Sequence, residues 1–267
     1  MKALLAQVEP EADSARNSER VCALIEEHAD CDLAIFPELF LCGYSTDSLE
    51  SRALALGGRQ LTSIAESCQR CRTAAVVGFS EAIDRENGIF GNSAACFDSD
   101  GSLAGVYRKT HLFGPAENAG FRQGDELEVL MLAGTAVGPL ICFDVEFPEP
   151  ARKLAESGAE LLITIASNMD PYSEDHFVAS RARALDNRRH HLYVNRTGDE
   201  AGHHFVGRSR AIAPDGSVIE ELGDGEGVIT VEIDPAREQT AEIVDYLRHV
   251  RTDLHVSVQE ASNEGES

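Results

Sequence analysis

Tryptophan is missing from the 267-residue sequence, and only three of its 23 basic residues are lysines: Lys2, Lys109 and Lys153. Scarce positive charge excludes whole classes of function. Against 46 acidic residues the balance is a net charge of −23. Nucleic-acid phosphates and anionic membrane surfaces need clustered Lys and Arg, so neither is an expected partner. No apolar run approaches the ~20 residues that span a bilayer. The opening MKALLAQVEPEADS turns acidic after a four-residue apolar stretch, too short and too acidic for a secretory leader. A cytoplasmic protein is expected.

Cysteine is present but odd in number, with seven copies scattered along the chain, so a disulfide framework is not expected. Cys68 and Cys71 form a C-x-x-C inside LTSIAESCQRCR, which reads as an amphipathic helix. No second such pair completes a zinc site. Adjacent residues point to different faces of a helix or strand, so neither His190-His191 nor His203-His204 ligates one ion in the usual way. These cysteines and histidines give no expectation of a metal site. Hydrophobic residues at 43% are enough for a sizeable core. One domain over 1–257 is predicted, followed by a polar, acidic and disordered tail at 258–267.

Strand and helix patterns interleave. KALLAQV (2–8), DLAIF (32–36), TAAVVGFS (73–80), AVGPLICF (136–143), AELLITIA (159–166), HLYVN (191–195) and GVITVEI (227–233) read as strands. Helical spacing covers 14–28, 57–72, 148–157 and 172–189, the last with Ser173 as its expected N-cap. Residues 91–109 and 207–222 read as hairpins around Asp-Ser-Asp-Gly and Pro-Asp-Gly turns, and 110–126 as a Gly-rich loop. The class is α/β with mixed sheets.

Three strands run straight into a chemically capable group. Cys142 ends GPLIC at a strand-to-helix bend, the sheet edge where α/β proteins place their sites. Amide groups at a helix start favour a thiolate. The alternative is a small buried hydrophobe. Glu38 follows an apolar strand and Pro37, flanked by Leu39, Phe40 and Leu41. Burial there would raise its pKa toward a general base's range, unless it is a solvated turn residue. Lys109 ends GVYRK and suits an oxyanion as a compact point charge; otherwise it is a surface cation. Glu117 sits eight residues on, in the Gly-rich loop. Asn168 and Asn195 end strands and either contact substrate or satisfy turn backbone.

Taken together, FPELFLCGY, YRKTHLFGPAE with FRQGDE, and GPLICFDVEFPEPAR resemble the three signature segments of the carbon–nitrogen hydrolase (nitrilase) superfamily, in that family's order of glutamate, lysine and cysteine. The resemblance runs from residue 2 to about 235, with ITIASNM, RARALDNR and YVNRTG downstream. It implies a four-layer α-β-β-α sandwich, a homodimer, and no metal or organic cofactor. It implies roles as well. Glu38 is the general base, Cys142 the nucleophile, Lys109 the oxyanion cation aided by the Phe143 N–H, and Glu117 a positioning carboxylate. Ammonia would leave from a small amide through a cysteine thioester.

Nitrile-cleaving members usually carry Trp-Glu after the nucleophile, where this chain has Phe143-Asp144. Many amidases and carbamoylases carry an arginine four residues after it, where this chain has Glu146. A carboxylate there repels an anionic substrate, so a small neutral aliphatic carboxamide is expected. N-carbamoyl compounds and the dicarboxylic monoamides of omega-amidases are the alternatives. Glu146 either favours a substrate amine or only pairs near the helix start. A silent binding or assembly protein is the rival from another class, with loss of the triad as its mark.

Overall fold

The computed structural model describes residues 1–235, 246–251 and 253–254. The tail expected at 258–267 lies outside these residues, as does the domain end placed at 257. In chain order the first half contains β1 (Lys2–Gln7), α1 (Ser14–Glu27), β2 (Leu33–Ile35), α2 (Leu49–Arg52), α3 (Arg59–Cys71), β3 (Ala74–Asp84), β4 (Ile89–Phe97), β5 (Leu103–Arg108) and α4 (Gly114–Gly120). Next come β6 (Leu130–Leu132), β7 (Thr135–Ile141), a 3-10 turn (Cys142–Glu146), α5 (Pro148–Glu156), β8 (Leu161–Ala166), α6 (Ser173–Asn187) and β9 (His190–Asn195). The last are β10 (Thr197–Glu200), β11 (His203–Val206), β12 (Arg210–Ile212), β13 (Val218–Glu221), β14 (Gly227–Glu232) and α7 (Tyr246–His249).

Two six-stranded sheets form, in the orders β14-β1-β2-β3-β4-β5 and β13-β12-β9-β8-β7-β6. Each has a parallel trio at its centre, β1-β2-β3 in one and β7-β8-β9 in the other. Antiparallel neighbours extend both sides of each trio. The trios explain the unbroken apolar runs, because a strand covered on both faces has no polar side.

Side chains alternate along these strands with a period of two. Ala3, Leu5, Leu33, Ile35 and Val76 point inward and meet Val137, Leu161, Ile163 and Val194 of the facing sheet. Their neighbours Leu4, Ala34, Ala75 and Val77 point outward onto Val21 and Ile25 of α1 and Leu61 and Ile64 of α3. Leu140 and Leu162 pack against Ala151 and Leu154 of α5, while α6 covers β9 and β12. Helices, sheet, sheet, helices: the expected four-layer sandwich is the observed one.

Two local expectations are corrected, and a third segment gains an element where none was expected. The segment 110–126 is not all loop, since α4 occupies Gly114–Gly120 with proline in its first turn. Seven residues are too few for a period to register. Ser173 is the first residue of α6 rather than its cap; the cap is Tyr172, whose N–H bonds Met169 O at 2.9 Å in the preceding turn. The polar stretch 197–206 is the hairpin β10–β11, turned at Ala201 and Gly202, both at positive φ.

Candidate active site

The carboxyl ends of the parallel strands converge on one edge. Glu38 follows β2 across Phe36 and Pro37, Cys142 follows β7 directly, and Ser167 and Asn168 follow β8. Lys109 comes one residue after β5, and Glu117 projects from α4. All four expected catalytic side chains are buried.

Lys109 Nζ lies 2.7 Å from Glu38 Oε1 and 2.9 Å from Glu117 Oε2. The remaining bonds fix the two carboxylates. Glu38 Oε1 also accepts from Asn92 Nδ2 at 2.7 Å, whereas its Oε2 is buried with no hydrogen-bond partner among the described residues. Glu117 accepts from the Phe113 N–H at 2.9 Å and the Tyr44 hydroxyl at 3.3 Å. Burial by itself would lower the Lys109 pKa, but Glu38 and Glu117 outweigh it and hold the ammonium well above its ordinary value. Glu117 moves up as well, through burial first; Lys109 opposes the shift and Glu38 adds to it. The two directions are compatible, because one cation cannot fully offset two buried carboxylates.

Cys142 opens the 3-10 turn at φ +48°, a left-handed conformation costly for a residue with a side chain. Asp144, fully buried, holds the turn in place. Its Oδ2 accepts from the Ile141 N–H at 3.0 Å and the Tyr107 hydroxyl at 2.8 Å. Its Oδ1 accepts from the His111 N–H and the Thr110 hydroxyl, both at 2.9 Å. One carboxylate thus ties the Cys142 turn to the segment that carries Lys109.

The expected lowering of the Cys142 pKa is overturned. Burial pushes the thiol well above its ordinary range and the Glu38 charge pushes it further, while Lys109 and the Ser167 N–H pull the other way. A five-residue 3-10 turn offers little dipole, and desolvation wins. Those causes favour the thiol over the thiolate.

A narrow cavity adjoins Cys142, with a volume of about 20 Å³. Phe143, Glu146 and Asn168 all line it. The Phe143 N–H falls in the first turn after β7, where donors have no intrahelical partner. Glu146 pairs with His176 Nε2 at 3.2 Å. Asn195 bonds the Asn168 backbone on both sides, N–H at 2.8 Å and C=O at 3.1 Å, which is the turn-satisfying role. Tyr44 lines both this cavity and an outer one of about 220 Å³ that also reaches Glu117. Sequence reasoning missed Asn92, Tyr44, Asp144, Ser167 and His176. Asn92 left a trace, being polar beside Ser93 in a strand that is otherwise apolar or glycine.

The sequence pattern of the carbon–nitrogen hydrolase family matches residues 2–242. The chain is 38% identical over 245 residues to an (R)-stereoselective amidase of Pseudomonas sp., covering 90% of this chain and 88% of that protein. It is 30% identical over 264 residues to an omega-amidase of Xenopus tropicalis, covering 93% and 94%. Among solved structures it superposes with a TM-score of 0.82 on a mutant amidase of Nesterenkonia sp. AN1, at 26% identity and 94% of each chain. That structure shows covalent addition of the acetamide moiety of fluoroacetamide at the active-site cysteine. The chain belongs to the carbon–nitrogen hydrolase family, and it is a hydrolase of that class.

Proposed function

We propose that this protein is an amidase that cleaves a small, non-anionic carboxamide to the acid and ammonia through a Cys142 thioester. The observation that carries the reading is one ammonium held between two buried carboxylates beside a thiol on a strained turn. Glu38 Oε2, the oxygen left without a partner, takes the thiol proton as Sγ attacks the amide carbon. Lys109 Nζ and the Phe143 N–H meet the oxyanion. As the C–N bond breaks, Glu38 returns the proton to the departing nitrogen, and ammonia leaves. Water then attacks the thioester, Glu38 accepts its proton, the C–S bond breaks, and Glu38 reprotonates the sulfur. Glu117 orients Lys109.

Omega-amidase or N-carbamoyl amino acid chemistry places an anion in the cavity, and Glu146 argues against it. A silent binding role would not need Glu38, Lys109 and Cys142 kept together. A reducing, cytoplasmic setting suits seven unpaired cysteines. Exposed Val178 and Leu185 on α6 and Ile219 on β13 support a homodimer that buries this face.

Ammonia release from a panel of small amides, nitriles and N-carbamoyl compounds, run beside Cys142→Ala, tests the reading. Release from the amides by wild type alone is expected. Equal release from both proteins overturns it.

Gly78 of β3 gives a second check. A Cβ there would lie 2.3 Å from Pro37 O and 2.6 Å from Glu38 Cα, both backbone atoms that cannot swing aside. Gly78→Ala is expected to cost roughly 1–3 kcal/mol by overpacking. Displacing Glu38 should lower turnover about a hundredfold. Urea melts and amide turnover measure the two effects; parental values for both would show that the Glu38 loop yields freely.

A further inference from the structure

We propose that the cavity beside Cys142 is an ammonium site: it selects carboxamides whose short acyl chain carries a protonated amine, with Glu146 as the specificity-determining carboxylate. The proposal rests on the amidase reading and narrows its substrate class.

At about 20 Å³ the cavity holds little more than one water, so the group it takes is small. No lysine or arginine among the described residues lines it. Away from the sulfur, two of its side chains offer unspent acceptors. Asn168 Nδ2 donates to Tyr172 O at 3.2 Å, which fixes the amide's orientation and leaves Oδ1 buried without a partner among the described residues. That orphan oxygen has the cost of an unmade hydrogen bond until an N–H donor arrives.

Glu146 is the second acceptor, and the residues behind it hold it in place. His176 Nε2 sits 3.2 Å from Glu146 Oε1, and His176 Nδ1 sits 2.8 Å from the Tyr193 hydroxyl. The imidazole thus spans the two, with Nδ1 at the hydroxyl and Nε2 at the carboxylate. That contact fixes where the carboxylate sits at the cavity wall. Glu146 Oε2 makes no hydrogen bond among the described residues.

Two further features favour a cation. Tyr44, Phe113, Phe143 and Tyr172 wall the cavity with aromatic surface suited to an ammonium group. Glu38, Lys109 and Glu117 sum to one negative charge next door, and the chain's net −23 steers cations inward and anions away.

The experiment compares kcat/KM for glycinamide, 3-aminopropanamide and 4-aminobutanamide with the isosteric propanamide, butanamide and pentanamide, at neutral pH. For the best-fitting length, wild type is expected to favour the amine by about tenfold or more, the worth of one modest charge contact. Glu146→Gln keeps an acceptor for His176 and removes the charge, so the amine-to-alkyl ratio should fall by about tenfold. Glu146→Asp should keep part of it. A carboxylate that only ties the turn to α6 would leave the ratio unmoved. Should Glu146→Gln fail to fold, the wild-type ratio still decides. A wild-type ratio of one or below, or a ratio unchanged in Glu146→Gln, overturns the ammonium site while alkyl amide cleavage keeps the amidase reading. Absence of Cys142-dependent ammonia from both series sinks both.

Discussion

Lys109→Ala should lose at least about a thousandfold in amide turnover. Loss of an oxyanion donor alone costs roughly a hundred- to a thousandfold. The same substitution also weakens the base. Without the ammonium, Glu38 and Glu117 face each other in a buried site that held three charges. Two such carboxyls resist being ionised together, so a proton shared by the pair weakens Glu38 as an acceptor for the thiol proton. The two losses act on one unit and will not multiply cleanly.

Stability should respond in a pH-dependent way. Removing one partner of a buried pair typically costs ~3–5 kcal/mol. In the variant, folded carboxyl pKa values lie above their unfolded values near 4.3. The protonated forms then favour folding, so the variant is most nearly native-like at low pH and loses stability as pH rises through the raised values. Urea unfolding of wild type and variant at about pH 5 and pH 7.5 measures this. Adding Glu117→Gln to Lys109→Ala should recover stability at the higher pH without recovering turnover. Turnover above a tenth of wild type, with unchanged stability, would remove Lys109 from the chemistry.

Some of the site was legible in the sequence and some was not, for physical reasons. Cys142 and Glu38 follow apolar runs and Lys109 ends a strand, so a strand ending on a reactive group marked them individually. The layers were legible because both parallel trios are covered on two faces and read as uninterrupted apolar segments. The hairpin β10–β11 escaped because TGDE and HHFV hold few apolar residues; its value is tertiary, since His203 and Phe205 ring Tyr44 and Glu200 accepts the Tyr44 N–H at 2.9 Å. The thiol's pKa was misjudged because a helix start is visible in sequence and burial of the neighbouring charges is not. Glu146 was recognised as unusual, but His176 and Tyr193 behind it lie 30 and 47 residues on. Asp144 was hidden most completely. An acid after Cys-Phe reads as a helix-start charge, whereas its partners Tyr107, Thr110 and His111 come from the far side of β6 and β7.

Asp144→Asn should therefore behave as a severe change despite its small size. Each Asp144 oxygen accepts at least two donors. Asparagine must turn an NH2 toward one of those donor pairs, so it repels where aspartate attracted. Unpaired buried groups cost about 1–3 kcal/mol each, and a loss of at least ~3 kcal/mol is expected from disrupting one pair. The Ile141 N–H is among the bonds at risk, and it is the one that holds Cys142 at φ +48°. A left-handed residue relaxes when its constraint goes, by an amount on the order of 1–2 kcal/mol. That relaxation carries Sγ away from Glu38 and Lys109. A nucleophile misplaced by about 1 Å costs about a hundredfold in rate, and kcat should fall by that much even at temperatures where the variant stays folded. The chemical signature separates misplacement from unfolding. In folded Asp144→Asn, the alkylation rate of Cys142 by iodoacetamide should change with the turn, while the other six thiols react as in wild type. A variant with a lowered melting temperature but parental kcat and parental Cys142 alkylation would reduce Asp144 to a structural brace with no hold on the nucleophile.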